Sequence, residues 1–329
     1  MLRNTVLLTL LLLAGCARDP GGLPLWQATQ VAPPKLQYLG VGGYLLRWRG
    51  EALLFAPSFS NPATLGLPPL RVQADAARID RLMPPAADAS MLLVGHAHYD
   101  HLLDVPRILQ KQAPEAKVYG SKTMGHILAA VIPRSRIVDA ETDMARGLAP
   151  GPWFTSSHGR FRAMAIESAH APHIAGIKLL GGSYDADLTA LPSTTWGWKE
   201  GQTLAWLVDL LDAHGRPVYR LHYQDAASAP PMGFPPLLPD SKRIDVAILC
   251  VGSWNQVRDY PAGLLRLVQP RLAVLGHWED FFGNDPRQPQ ALRLLDEQGI
   301  VAATRAALPA DGRLAMPVPF AEIPLPERL

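Results

Sequence analysis

The sequence predicts an α/β fold of two β-sheets packed face to face, with helices outside. Three observations point to it. Short apolar runs bounded by turn formers recur from residue 35 onward and read as strands. Runs with helical spacing lie between them in both halves, so each half supplies a sheet and its own helices. Several of the apolar runs end on a histidine or an aspartate, as expected where functional side chains gather at the carboxyl edge of a sheet.

The chain opens with "MLRNTVLLTLLLLAGC", which has a basic residue at Arg3, an apolar stretch from Val6 to Leu13 and small residues before Cys16. Residues 1–15 read as a secretory signal peptide, too short to span a bilayer as a mature helix. The ending "LAGC" resembles a bacterial lipobox, which implies cleavage before Cys16 and lipidation of its thiol. The alternative is an ordinary signal peptide with an incidental cysteine. Ala17 rather than Asp follows the cysteine, which by the same resemblance favours the outer membrane over the inner one. The expected location is the cell envelope, lipid-anchored and facing the periplasm. Residues 16–35 are rich in Pro, Gly and polar groups and read as the lipidated cysteine with a flexible tether.

Cys250 then stands alone, so no internal disulfide is expected. It lies in the apolar run "IDVAILCVG" and reads as a buried, inert thiol. An apolar content of 48% supports a sizeable core. The net charge of +2 and the scattered basic residues give no support to a nucleic-acid partner. No second apolar segment is long enough to span a membrane.

"KLQYLGVGGYLLRWRG" and "EALLFAPSFS" read as strand-like runs joined in a hairpin at Arg49–Glu51. Residues 61–90 form a Pro-rich excursion with room for one short helix. "SMLLVG" is a buried strand, and "LLDVPRILQKQ" has helical spacing with Asp104 and Pro106 near its start. "AKVYGS" predicts a strand, "TMGHILAAVI" a helix and "RFRAMAIES" another strand. A Gly/Pro/Trp-rich excursion covers residues 171–202. "TLAWLVDLLD" and "PVYRLHYQD" predict a hairpin across "AHGR". "RIDVAILCVG" and "RLAVLGHWED" are buried strands separated by a helix near "YPAGLLRLVQ". "PQALRLLDEQG" predicts a last helix before a Pro-rich tail, and no internal repeat is visible.

Between "SMLLVG" and its helix lies "GHAHYDHLLD". Three of the chain's ten histidines and one aspartate fall within six residues, on a strand-to-helix turn. Imidazole and carboxylate held together on a rigid turn suit zinc. His170, Asp225 and His277 each follow another strand-like run. With His96, His98, Asp100 and His101 they make five histidines and two aspartates, enough for two zinc ions sharing a carboxylate with positions left open for water.

With these residues the sequence resembles the metallo-β-lactamase superfamily, from about Leu36 to Val301. The motif HxHxDH is present as His96, His98, Asp100 and His101, and His170, Asp225 and His277 match the later ligands in order. "YLGVGGYLLRWRGEALLFAPSFSN" looks like the family's opening hairpin. The resemblance implies an αββα sandwich over residues 36–329 and a metal-dependent hydrolase. By the same resemblance His96, His98 and His170 would bind one zinc, Asp100, His101 and His277 a second, and Asp225 would bridge them beside a bridging hydroxide. Zinc is expected in preference to iron or manganese, because His98 stands where diiron relatives carry Glu. Asp225 argues against a dedicated β-lactamase. "SAHAPH" and "GHWEDFF" look most like the branch containing N-acylphosphatidylethanolamine phospholipase D, which implies a phosphodiester or phospholipid-like substrate. A lactone or other cyclic acyl bond is the alternative, and a non-catalytic metal-binding envelope lipoprotein another.

Two departures from the family stand out. Ala56 precedes Pro57 where relatives often carry Asp, and Asp225 sits in "YQDAA" rather than a Gly-Asp-Thr or Gly-Asp-Ser turn. Asp100, Asp225 and His173 are the catalytic candidates. His173 admits two readings, a substrate contact or acid and an ordinary loop histidine. Trp153, Trp196 and Trp198 either line an apolar mouth or pack in the core. His126, His158, His214 and His222 carry no motif and read as structural.

Overall fold

The computed structural model describes residues 20–61, 70–173, 176–281, 285–292 and 295–327. The expected signal peptide and Cys16 lie outside the described residues. The strands are β1 Leu25–Trp26, β2 Lys35–Gly40, β3 Gly43–Trp48, β4 Glu51–Phe55, β5 Ala89–Leu93, β6 Lys117–Gly120, β7 Ile137–Asp139, β8 Phe154–Thr155, β9 Phe161–Glu167, β10 Leu204–Leu211, β11 Pro217–Tyr223, β12 Val246–Cys250, β13 Leu272–Gly276, β14 Arg313–Pro317 and β15 Glu322–Pro324. They form two mixed sheets, ordered β15-β2-β3-β4-β5-β6-β7 and β1-β14-β13-β12-β11-β10-β9-β8.

Three apolar layers hold the sandwich together. Tyr38, Tyr44, Phe55, Phe161, Trp206 and Tyr223 are among the residues that fill the space between the sheets. The outer face of the first sheet packs through Leu54 and Leu92 against Ile79, Leu102, Ile108 and Ile127 of its helical segments. The outer face of the second packs through Ala247 and Leu275 against Leu264, Ile300 and Val301. Both faces of the central strands are therefore apolar, which is why β5, β12 and β13 read as continuous apolar runs rather than alternating ones. The chain is an αββα sandwich, as the sequence predicts.

The helices obey local end signals. Ser121 caps Lys122–Leu128 by accepting the Met124 N–H, and Asp75 caps Ala76–Leu82 through the Arg78 N–H. The run "LLDVPRILQKQ" is not one helix: it holds the end of a short helix Tyr99–Leu102, then Val105–Arg107 and a π-helical turn Ile108–Gln112, with Pro106 tolerated at the start of its segment. Among the described residues, no helix is long and apolar enough to cross a membrane.

Three expectations are corrected. The last helix is Glu297–Ala307, not residues 289–299: Asp296 caps it at the Gly299 N–H, so the helix starts later. Residues 290–292 instead pair with residues 278–280, the Leu292 N–H donated to Trp278 O and the Asp280 N–H to Gln290 O. The run from residue 35 to 50 is two strands rather than one, split at Val41–Gly42. Val41 there adopts a positive φ of 54°. Within the expected tether, Leu25–Trp26 pair in parallel with Met316–Pro317. The Trp26 indole also donates to Glu322 O, so the folded body begins before residue 36.

Candidate metal centre

The site is assembled at the edge where the two sheets meet. Strand β5 lies between β4 and β6, both parallel to it, so the turn that follows β5 is delivered to the carboxyl edge of the first sheet. The Leu204 N–H donates to Gly95 O and the Trp206 indole to Val94 O, tying that turn to the start of β10 in the second sheet. His170 follows β9, Asp225 follows β11 and His277 follows β13. Gly95 has a steric reason, because a Cβ there would overlap the Asp225 carboxylate. Its N–H instead donates to Asp225 Oδ2 at 3.0 Å.

All seven residues singled out by their strand-end positions come together. Their potential ligand atoms fall into three groups, each lying within 4.8 Å of one another: His96, His98 and His170; His96, His101 and Asp225; and Asp100, His101 and His277. Asp225 lies between the first and last of these, with Oδ1 3.0 Å from His96 Nδ1 and Oδ2 3.6 Å from His101 Nδ1. Asp100 Oδ2 is 3.5 Å from the Nε2 atoms of both His101 and His277.

Neighbouring carbonyls orient two of the rings. His170 Nδ1 donates to Ala171 O at 2.6 Å, which leaves Nε2 with its lone pair. His98 Nε2 donates to Leu180 O at 3.3 Å, which leaves Nδ1. Fixing the tautomer through the other ring nitrogen is what a metal-binding histidine requires. His173 stacks on His170 with centroids 4.6 Å apart and lies 5.6 Å from His98. Its Nδ1 accepts the Leu179 N–H, so in the neutral ring Nε2 carries the proton.

Electrostatics favour the ligand form of four histidines and of Asp100, but not of Asp225. Burial, reinforced by neighbouring imidazoles, holds His96 and His98 well below the usual histidine range. Burial and His173 bring His170 down to about 4. Burial lowers His101 as well, against the pull of Asp100 and Asp225. Burial disfavours the charge on Asp100, but His101 and His277 outweigh it and hold the carboxyl well below its usual value. For Asp225 burial wins and the carboxyl is raised, with His101 and His170 opposing.

This donor set fits metal ions. His96 Nε2, His101 Nδ1 and His277 Nδ1 are buried without a hydrogen-bond partner among the described residues. Buried polar atoms are rarely left that way, so these three rings are not satisfied by the protein's own groups. Neutral imidazole together with carboxylate is a ligand set suited to divalent metal ions, and the three overlapping groups offer it at one place.

The remaining candidates separate cleanly. His126 pairs with Asp187, His158 lies 3.7 Å from Glu51, and His222 bonds Gly233 O; none joins the site. His214 lies in the β10–β11 turn, its N–H donated to Asp212. Trp198 is core, Trp196 is exposed, and Trp153 lies under the Arg162 guanidinium. Cys250 is buried and its thiol is pushed up by that burial. Ala56 is buried among apolar side chains and its N–H donates to Leu93 O. Sequence reasoning missed Tyr38 and Glu279, which bond to each other beside His277. The available signal was a glutamate two residues after a candidate ligand at the end of an apolar strand.

The model of the family described as "Beta-lactamase superfamily domain" matches residues 52–278. No curated protein matches. A metallo hydrolase from the hyperthermophilic archaeon Ignicoccus hospitalis superposes with a TM-score of 0.52 at 12% identity, over 88% of this chain and 97% of that one. The metallo-β-lactamase fold protein YhfI from Bacillus subtilis does so with a TM-score of 0.51 at 12% identity, over 89% and 100%. The family match covers more than half of the chain and includes all seven converging residues, so the chain belongs to the metallo-β-lactamase superfamily, whose fold carries metal-dependent hydrolases.

Proposed function

We propose that this protein is a binuclear zinc-dependent hydrolase of phosphodiester or phospholipid-like substrates, held by a lipid on Cys16 at the periplasmic side of the outer membrane. The observation that carries the reading is the convergence of five histidines and two aspartates, all but His170 buried, with ring nitrogens left without a hydrogen-bond partner among the described residues. His96, His98 and His170 would hold one ion, and Asp100, His101 and His277 the other. Bound zinc would supply an acidified water and a positive charge against the substrate oxygen.

The chain's own residues set up the rest. Asp225 is fixed between the two groups by the Gly95 N–H, so its carboxylate is already placed before any ligand arrives. His173 is half-exposed beside His98 and His170, and its Nε2–H is a donor suited to a substrate oxygen. The phospholipid-like substrate rests on the resemblance of "SAHAPH" and "GHWEDFF" to the phospholipase D branch, and the anchor on "LAGC".

Zinc-loaded protein screened against phosphodiesters, phospholipids and lactones should turn over the first two. Turnover of lactones alone would move the substrate to cyclic acyl bonds. A fully loaded protein that turns over nothing would favour the non-catalytic metal-binding lipoprotein. For the anchor, Cys16→Ser should abolish acylation at this position and impair processing; normal release of a correctly cut soluble product would instead mark an ordinary signal peptide.

A further inference from the structure

We propose that Tyr38 and Glu279 act as a pair of positioning residues that place His277 and the β2–β3 turn for the second metal group. The proposal rests on the reading of Asp100, His101 and His277 as ligands.

Both residues are buried. Glu279 Oε2 accepts the Tyr38 phenol at 2.5 Å, and Glu279 Oε1 accepts the Val41 N–H at 2.5 Å. Tyr38 Oη in turn accepts the His277 N–H at 2.9 Å, and Val41 O lies 3.1 Å from it. One phenol and one carboxylate thus tie together two segments far apart in sequence.

Those segments carry the strain that such a tie sustains. His277 has φ 59° and Val41 φ 54°, both in the left-handed region. A non-glycine residue there is uncommon, and a β-branched one is an outlier that persists only where its surroundings over-determine it. Each of the two residues has its N–H bonded within the pair: His277 to the phenol and Val41 to the carboxylate. The left-handed backbone at 277 turns the chain out of β13 and sends its ring toward Asp100 and His101.

The turn reaches the same metal group from another side. A Cβ at Gly42 would sit 2.8 Å from His101 Nδ1. Gly42 O also accepts the Tyr223 phenol at 2.7 Å. The turn is therefore lodged between His101 and Glu279. Releasing it would disturb two of the three residues of the second group, while His96, His98 and His170 touch neither Tyr38 nor Glu279 in any hydrogen bond found among the described residues.

The test is stepwise zinc binding by the full chain, measured by chelator competition, for wild type, Tyr38→Phe, Glu279→Gln and the double variant. Substitution of groups that orient metal ligands costs roughly 10- to 100-fold in metal affinity. The second zinc should weaken by about that factor in each single variant, with the first zinc unchanged. Because the two act as one unit, the double variant should weaken it little further than either single one. Cobalt substituted into the second group should also change its visible spectrum. Tyr38→Phe keeps the ring in the core, so it remains informative if Glu279→Gln does not fold. Wild-type affinity for both zincs in the variants, or an equal fall in both, would overturn the proposal while leaving the binuclear reading intact. Wild-type protein that takes up fewer than two zincs would remove that reading and the proposal with it.

Discussion

At the edge of the sandwich away from the histidines, Glu51 and Asp209 are buried as deeply as the site residues, yet their oxygens all have protein partners. Glu51 receives the Ser90 and Ser156 hydroxyls and the N–H groups of His158 and Arg160. Asp209 receives the guanidinium groups of Arg162 and Arg220, and Arg220 is shared with Asp240. At the other edge, three imidazole nitrogens are buried with no hydrogen-bond partner among the described residues. The contrast separates two uses of buried polarity. A carboxylate whose lone pairs are filled by the protein holds loops in place, whereas a cluster of lone pairs left open is complementary to a cation.

Breaking the far edge should cost stability and nothing else. Asp209→Ala leaves the buried Arg220 guanidinium with Asp240 as its remaining carboxylate and the Lys242 carbonyl, which should destabilise the fold by about 3–5 kcal/mol. Urea unfolding would show the lowered midpoint, and zinc content should stay at the wild-type level. A variant of normal stability that lost zinc would erase the distinction between the edges.

Breaking the near edge should do the reverse. Asp225→Ala removes the carboxylate placed between His96 and His101, so hydrolysis of a substrate found in the screen should fall at least about a hundredfold. Zinc binding should weaken in the same samples, and the unfolding midpoint of the metal-free protein should change little, because the apolar layers carry the fold. Wild-type turnover with two bound zincs would show that Asp225 is misassigned.

A smaller effect sharpens the comparison through pH. Burial holds His222 down to about 4, with its bond to Gly233 O opposing the shift. A histidine depressed in the folded state takes up its proton first in the unfolded chain. Its stabilising contribution is present above pH 6.5 and is lost as pH falls toward 4. Between pH 6.5 and 5 the loss attributable to this group is roughly 1.5 kcal/mol. His222→Gln, which can still donate to Gly233 O, should flatten that part of the stability–pH curve in metal-free protein. An unchanged slope would mean that His222 is not buried as described.

The two edges were not equally legible in the sequence. The histidine cluster is local, and His170, Asp225 and His277 announce themselves by ending apolar strands. The layered fold follows from runs apolar on both faces. The Tyr38–Glu279 bond joins residues 241 positions apart, and no periodicity encodes such a contact. Val41 is invisible for a related reason: a valine inside an apolar run argues for strand, and only the tertiary tie makes it a turn. The segment before the last helix has helical spacing, but its backbone pairs with residues 278–280, which outweighs propensity. Short strands such as β1 and β15 exist only because the sheet edges are there to receive them.

The contrast between the edges depends most directly on whether the converging histidines and aspartates take up metal. Crystals of the zinc-loaded protein, measured at the zinc absorption edge, should show two anomalous peaks per chain. One should be flanked by His96, His98 and His170, the other by Asp100, His101 and His277, with Asp225 between them. Absence of zinc from this edge, with peaks confined to surface residues or missing altogether, would contradict it.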